Sequence, residues 1–307
     1  MQNFILIGIF LSAGALAKHK GWLTSNTSIR LNQFVIFICL PSIILLKIPQ
    51  LSIDEKLLLP TLVPWGGLVF ISLIVLLMAK ALNWSREITG CLLMITCFGN
   101  TSFFGFPMVR AFWGEEGLPY AVIYDVLGSF LSLALVGNIF IAIYSGGEQF
   151  SWLSALKRLI TFPPFIAIVV AFGFGEIKYF DWIVTGLTLI GDLLIPSTMF
   201  LVGMHLSLKI DKKLLRPLQY ALGLKLLLLP LIALLSLELL VSIDVKNSLI
   251  YNVTLFEAAM PPMVTASVMA IHARLAPQLA AACVGIGLFL SCITLPLWYL
   301  FLSGTNF

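Results

Sequence analysis

Apolar residues in this chain come in near-continuous runs, with most of the polar and charged residues between them. Ten runs read as membrane-crossing helices: residues 2–17, 31–49, 61–82, 88–112, 118–144, 159–175, 182–207, 216–238, 248–271 and 277–302. Two of them are interrupted at mid-depth. Gly99-Asn100-Thr101-Ser102-Phe103-Phe104-Gly105-Phe106-Pro107 lies within the fourth, and Glu257-Ala258-Ala259-Met260-Pro261-Pro262 within the ninth. Proline removes a backbone donor and crowds the preceding turn, and glycine loosens the helix before it. Backbone groups freed at that depth need protein, water or a ligand as partner. The pattern predicts that helices four and nine are broken.

The chain also repeats. A shift of 155 residues carries Pro41 onto Pro196 and Pro107 onto Pro262, with Leu40-Pro41-Ser42 matching Ile195-Pro196-Ser197. The same shift lays the first five runs over the last five. An odd number of spans per half inserts the halves in opposite orientations. The expected fold class is an all-α polytopic membrane protein with ten transmembrane helices. They form two inverted five-helix repeats, with helices 4 and 9 broken and crossed. Residues 1–144 make the first repeat, 145–158 a short cytoplasmic linker and 159–307 the second repeat. Inverted repeats with matching interrupted helices point to a secondary transporter.

Composition agrees: 60% of residues are hydrophobic and 10% charged, which leaves no room for a soluble domain. Of the 18 basic residues, 12 fall in alternate loops, from Lys18, Lys20 and Arg30 through Lys209, Lys212, Lys213 and Arg216 to Arg274. The opposite loops hold Lys47, Lys56, Arg110, Lys178 and Lys246 among acidic residues. The positive-inside rule puts the first set in the cytoplasm and both termini outside the cell (plasma or inner) membrane. The net charge of +4 is scattered, so no nucleic-acid partner is implied. Met1 to Ala17 lacks a basic leader and reads as a first span rather than a cleaved signal. The five cysteines lie inside apolar runs without a CxxC pair and read as small buried hydrophobes. No GxSxG, HExxH or phosphate loop occurs, so no enzyme is expected.

If the two broken helices run oppositely and meet, two half-helix N-termini converge, one near Gly105 to Pro107 and one near Met260, Pro261 and Pro262. Their free N–H groups and about half a positive charge apiece would suit a carboxylate. Asn100, Thr101 and Ser102 add side-chain donors, and Thr265 lies one turn into the second half-helix. The alternative is a pair of proline-kinked packing helices without a ligand. Four ionisable residues sit well inside spans: Asp125, Asp192, Lys225 and Glu257. Each costs about 2.5–3.5 kcal/mol at the bilayer centre unless paired, neutralised or hydrated. Glu257 falls at the negative C-terminal end of its half-helix, where a bare anion is disfavoured. It therefore calls for a proton or a cation such as sodium beside it. Asp192 either faces the same crossing or pairs with Lys225. Asp125 is a hydrated residue of an outward cavity or a further coupling group.

Asn100-Thr-Ser-Phe-Phe-Gly-Phe-Pro107 and Ala259-Met-Pro-Pro-Met-Val-Thr-Ala-Ser-Val-Met-Ala270 resemble the auxin efflux carrier family, in the bile acid–sodium symporter-like superfamily. Leu31 to Pro41, Pro163-Pro164 and Gly191 to Gly203 are similar too, so the likeness runs along the whole chain. The resemblance implies a scaffold and a transport domain, with the crossed helices in the latter. It also implies transport of organic anions by alternating access and, by kinship, a homodimer. Asn100, the Gly105–Pro107 turn and Met260 to Pro262 would line the anion site. Glu257 would match the place where sodium-coupled relatives put an ion-binding acid. Ser102 stands where glycine is commoner, and the linker is short. A small carboxylate suits Glu257 better than auxin does. The alternatives are a sodium-coupled symporter of a larger amphipathic acid and a non-transporting membrane ligand sensor. No cofactor is expected beyond a proton or sodium ion.

Overall fold

The computed structural model describes residues 2–22, 25–51, 54–146, 152–173, 179–206, 211–246 and 248–304. Lys178, Lys209 and residues 147–151 of the linker, all used above, lie outside them. In chain order the principal helices are α1 (Gln2–His19), α2 (Asn26–Gln50), α3 (Glu55–Ala81), α4 (Arg86–Cys97) and α5 (Phe106–Trp113). Next come α6 (Glu115–Ser145), α7 (Trp152–Ile160), α8 (Pro163–Gly173), α9 (Asp181–His205) and α10 (Lys212–Leu240). The chain closes with α11 (Leu249–Ala258), α12 (Val264–His272) and α13 (Pro277–Gly304). Among the described residues six helices are long and apolar enough to cross a membrane: α2, α3, α6, α9, α10 and α13. Apolar α1 and α8 are shorter, and the fourth and ninth runs are each split in two. Large apolar side chains such as Phe37, Leu62, Val69 and Leu189 are exposed, as on a lipid-facing perimeter.

The linker is not simply a loop. Helix α7 occupies its second half and runs on to Ile160, so the sixth apolar helix starts at Pro163 rather than 159. Proline suits that first helical position, because the donor it lacks has no partner there anyway.

Several helices widen locally to i→i+5 turns, and sequence explains three of them. The wide turns at Val35–Cys39, Thr101–Gly105 and Leu224–Leu228 are each followed, two residues later, by a proline: Pro41, Pro107 and Pro230. Each proline lacks the N–H that would bond the carbonyl four residues back, at Phe37, Phe103 or Leu226. That carbonyl falls inside the wide turn, which redistributes the hydrogen bonding around the missing donor. A fourth wide turn, Tyr124–Phe130, has no such proline, and its Gly128 abuts the Pro64 ring of α3.

The helices sort into two packed groups. Helix α9 contacts α1 and α2, and α2 contacts α8, while α3 to α6 contact α10 to α13. Helices α1 and α9 approach backbone to backbone, with Gly14 against the Phe200 carbonyl and Gly203 against the Leu11 carbonyl. Between the groups, α9 touches the Thr101–Gly105 turn and α5, and α1 touches α5.

Candidate functional site

The two interruptions meet. Helix α4 starts at a Ser85 cap, whose hydroxyl accepts the Ile88 N–H, and ends at Cys97, after which Phe98 is extended. Helix α11 starts at a Ser248 cap and ends at Ala258. Pro261 and Pro262 have no donors and cannot continue it. The two extended stretches pair antiparallel at Gly99 and Pro262. Asn100 N–H donates to the Pro261 carbonyl at 2.8 Å, and Met263 N–H donates to the Phe98 carbonyl at 3.0 Å. Each break thus supplies partners for groups the other has freed, as a dry interior requires. Gly287 of α13 seats the Pro262 ring: a Cβ there would stand 2.7 Å from its Cδ.

Past the junction the first half-helix restarts at Thr101, a turn earlier than the Gly105–Pro107 N-terminus expected from the sequence. The Gly105 N–H reaches back to the Asn100 carbonyl at 2.9 Å, and Pro107 is the second residue of α5. The wide turn supplies the extra helical residues. Met260, Pro261 and Pro262 are buried, and Pro261 and Pro262 belong to the extended strand of the junction. Helix α12 begins at Val264. Its first bond within the helix is from Ser267 N–H to the Met263 carbonyl at 3.1 Å, so the Val264, Thr265 and Ala266 amides have no acceptor inside it.

The side chains around this junction are buried and charged. Asp125 is 2% exposed and accepts the Thr101 hydroxyl at 2.5 Å and the Ser102 hydroxyl at 2.6 Å on the same oxygen. Those two hydroxyls therefore serve Asp125 and not an incoming anion. Asn100 is 1% exposed, and neither its amide nitrogen nor its carbonyl oxygen has a hydrogen-bond partner. Glu257 is fully buried, with both carboxylate oxygens unpartnered, and rests on the bare backbone of Gly105. A carboxyl without a partner in a dry site stays charged only beside a cation.

Lys225 also belongs here. Its Nζ lies 3.4 Å from the Ala258 carbonyl and would stand 3.0 Å from a Cβ at Gly99. Asp125 and Lys225 both fall in wide turns, Tyr124–Phe130 and Leu224–Leu228, so three wide turns converge on one junction.

A family model described as a membrane transport protein, that of the auxin efflux carriers, matches residues 2–299. The chain belongs to this family. An uncharacterized transporter of Methanothermobacter thermautotrophicus is 28% identical to this carrier over 97% of the chain and 96% of its own length. An uncharacterized transporter of Methanocaldococcus jannaschii is 30% identical over 68% of the carrier and 70% of its own length.

The side chains of two sequence candidates are exposed. Thr265 is exposed on α12. Asp192 is half exposed and pairs with Arg110 Nη2 at 2.8 Å, not with Lys225. Arg110 also pairs with Glu115, and Glu115 with Lys47 at 2.9 Å, forming a chain of four charges. This chain joins α2 and α9 of one helix group to α5 and α6 of the other. Sequence reading passes over it because its members come from distant elements. It also passes over Asn252, a buried amide of α11 whose carbonyl oxygen has no partner. A lone amide in an apolar run was the available signal.

Proposed function

We propose that this carrier is a secondary transporter of a small organic carboxylate, working by alternating access. The observation that carries the reading is the antiparallel junction of the two broken helices, with the unpartnered Asn100 amide beside it. An amide with both polar atoms buried and unpaired is costly unless a ligand completes it. In this reading the substrate carboxylate takes the Asn100 amide N–H together with the open amides at the start of α12. Thr101 and Ser102 hold Asp125, and Glu257 with Asp125 takes the coupling proton or sodium ion. The ten-span count, the inverted repeats 1–144 and 159–307 and the location of both termini outside the plasma or inner membrane belong to the same proposal. So does the division of labour in which α1, α2, α8 and α9 form the scaffold and the remaining spans move against it.

The test is a panel of small carboxylates, malonate among them, in proteoliposomes with pH and sodium gradients imposed separately. Accumulation of one of them, abolished in Asn100→Ala and Glu257→Gln while both variants stay folded, supports the reading. Full activity in both variants overturns the site. Binding without counterflow of labelled substrate makes the protein a sensor instead.

A further inference from the structure

Interrupted transport helices hold their coupling cations at half-helix C-termini, where unpaired carbonyls and the negative end of the helix dipole converge. In this carrier that position, at the end of α11, already has an occupant. The Lys225 Nζ reaches the Ala258 carbonyl at 3.4 Å, and Gly99 leaves room for it where a side chain would not. Lys225 is 1% exposed, so it does not snorkel to a surface. Among the described residues no carboxylate comes within ion-pair distance of its ammonium, so it is not half of a structural salt bridge. Its backbone sits in the wide turn ahead of Pro230. A buried lysine tethered to a helix end, with no acid at ion-pair distance, stands where a bound cation would.

We infer that Lys225 is the resident cation of the crossing, standing where a diffusible metal ion would otherwise bind. The inference deepens the transport reading of the same site. With the lysine in place the junction has no vacancy for sodium at Ala258, and the ion left to move with the substrate is a proton. Removing the tether while keeping the space re-creates a metal site from the Ala258 carbonyl and the Glu257 carboxylate.

The test needs no knowledge of the substrate. Thermal unfolding of the purified protein is followed in sodium chloride and in choline chloride at equal ionic strength, for wild type, Lys225→Ala and Lys225→Met. Wild type is expected to melt at the same temperature in both salts. Lys225→Ala is expected to gain a saturable rise of about 2–4 °C in sodium, or in methylammonium, which restores the missing ammonium. Lys225→Met fills the space without charge and is expected to gain nothing. A saturable sodium response in wild type overturns the inference, as does a folded Lys225→Ala that responds to neither cation. Should Lys225→Ala not fold, the wild-type comparison and malonate counterflow in sodium-free medium decide. Strict sodium dependence of wild-type flux would also defeat the inference. Absence of malonate flux in every medium counts against malonate as substrate and leaves the melting experiment to judge Lys225.

Discussion

The Glu257 carboxylate rests on Gly105 so closely that a Cβ there would stand 2.5 Å from Oε2 and 2.7 Å from Oε1. Glycine at 105 is thus a seat for a buried acid, independent of any need for unusual backbone angles. Gly105→Ala is expected to push the carboxyl off its position and cut coupled uptake at least tenfold, with the helices still formed. Gly223→Ala, where the added carbon meets open space, serves as the control and is expected to transport normally. Initial uptake rates in proteoliposomes, with circular dichroism for folding, check the pair.

Asn100 separates stability from function. Its side chain is buried with no partner for either polar atom, so truncation removes an uncompensated group instead of a hydrogen bond. Asn100→Ala is expected to melt within about 2 °C of wild type or above it, while uptake falls at least tenfold. A melting point far below wild type would mean that the amide is a structural strut.

Much of this arrangement was legible in the chain. Lipid forces apolar residues into runs, so the helix positions follow from hydropathy, and Pro107, Pro261 and Pro262 mark the breaks because proline cannot supply the missing donor. The point where the first half-helix restarts was not legible. The wide turn Thr101–Gly105 absorbs the proline's effect upstream and moves the helix start by a turn. Side-chain partners were less legible still. Sequence gives the depth of Asp192 and Lys225 but not the direction each faces, and they turn out to serve Arg110 and Ala258 respectively.

Asp125 organises the restart of the fourth apolar run by accepting two hydroxyls on one oxygen. Asp125→Ala leaves Thr101 and Ser102 buried without that acceptor, at a cost of about 1–3 kcal/mol for each. Asp125→Asn keeps an acceptor oxygen and is expected to lose much less. Adding Thr101→Val and Ser102→Ala to Asp125→Ala should recover stability, a non-additive result that chemical denaturation can measure.

The charge chain Lys47–Glu115–Arg110–Asp192 spans the two helix groups, yet its side chains are open to solvent, from 23% for Lys47 and Arg110 to 51% for Asp192. Solvent screening holds the worth of such pairs down. Arg110→Ala is expected to change stability by less than about 1 kcal/mol, a difference that disappears at high salt. If the groups move against each other during transport, these contacts must open. Uptake by Arg110→Ala should then depend less on ionic strength than wild-type uptake does.

The close approach of α1 and α9 gives the last expectation. A Cβ at Gly203 would fall onto the Leu11 carbonyl and stand 2.9 Å from the Ala15 nitrogen, so backbone rather than a flexible side chain would have to yield. Lipid offers helices no hydrophobic reason to stay together, so this contact depends on dispersion between closely fitted surfaces. Gly203→Ala is expected to part the helices and cost about 1–3 kcal/mol. Gly8→Ala, on α1 with open space around it, is expected to cost nothing measurable. Thermal unfolding of both in the same detergent checks the contrast, and equal melting points would mean that α1 and α9 do not rely on this contact.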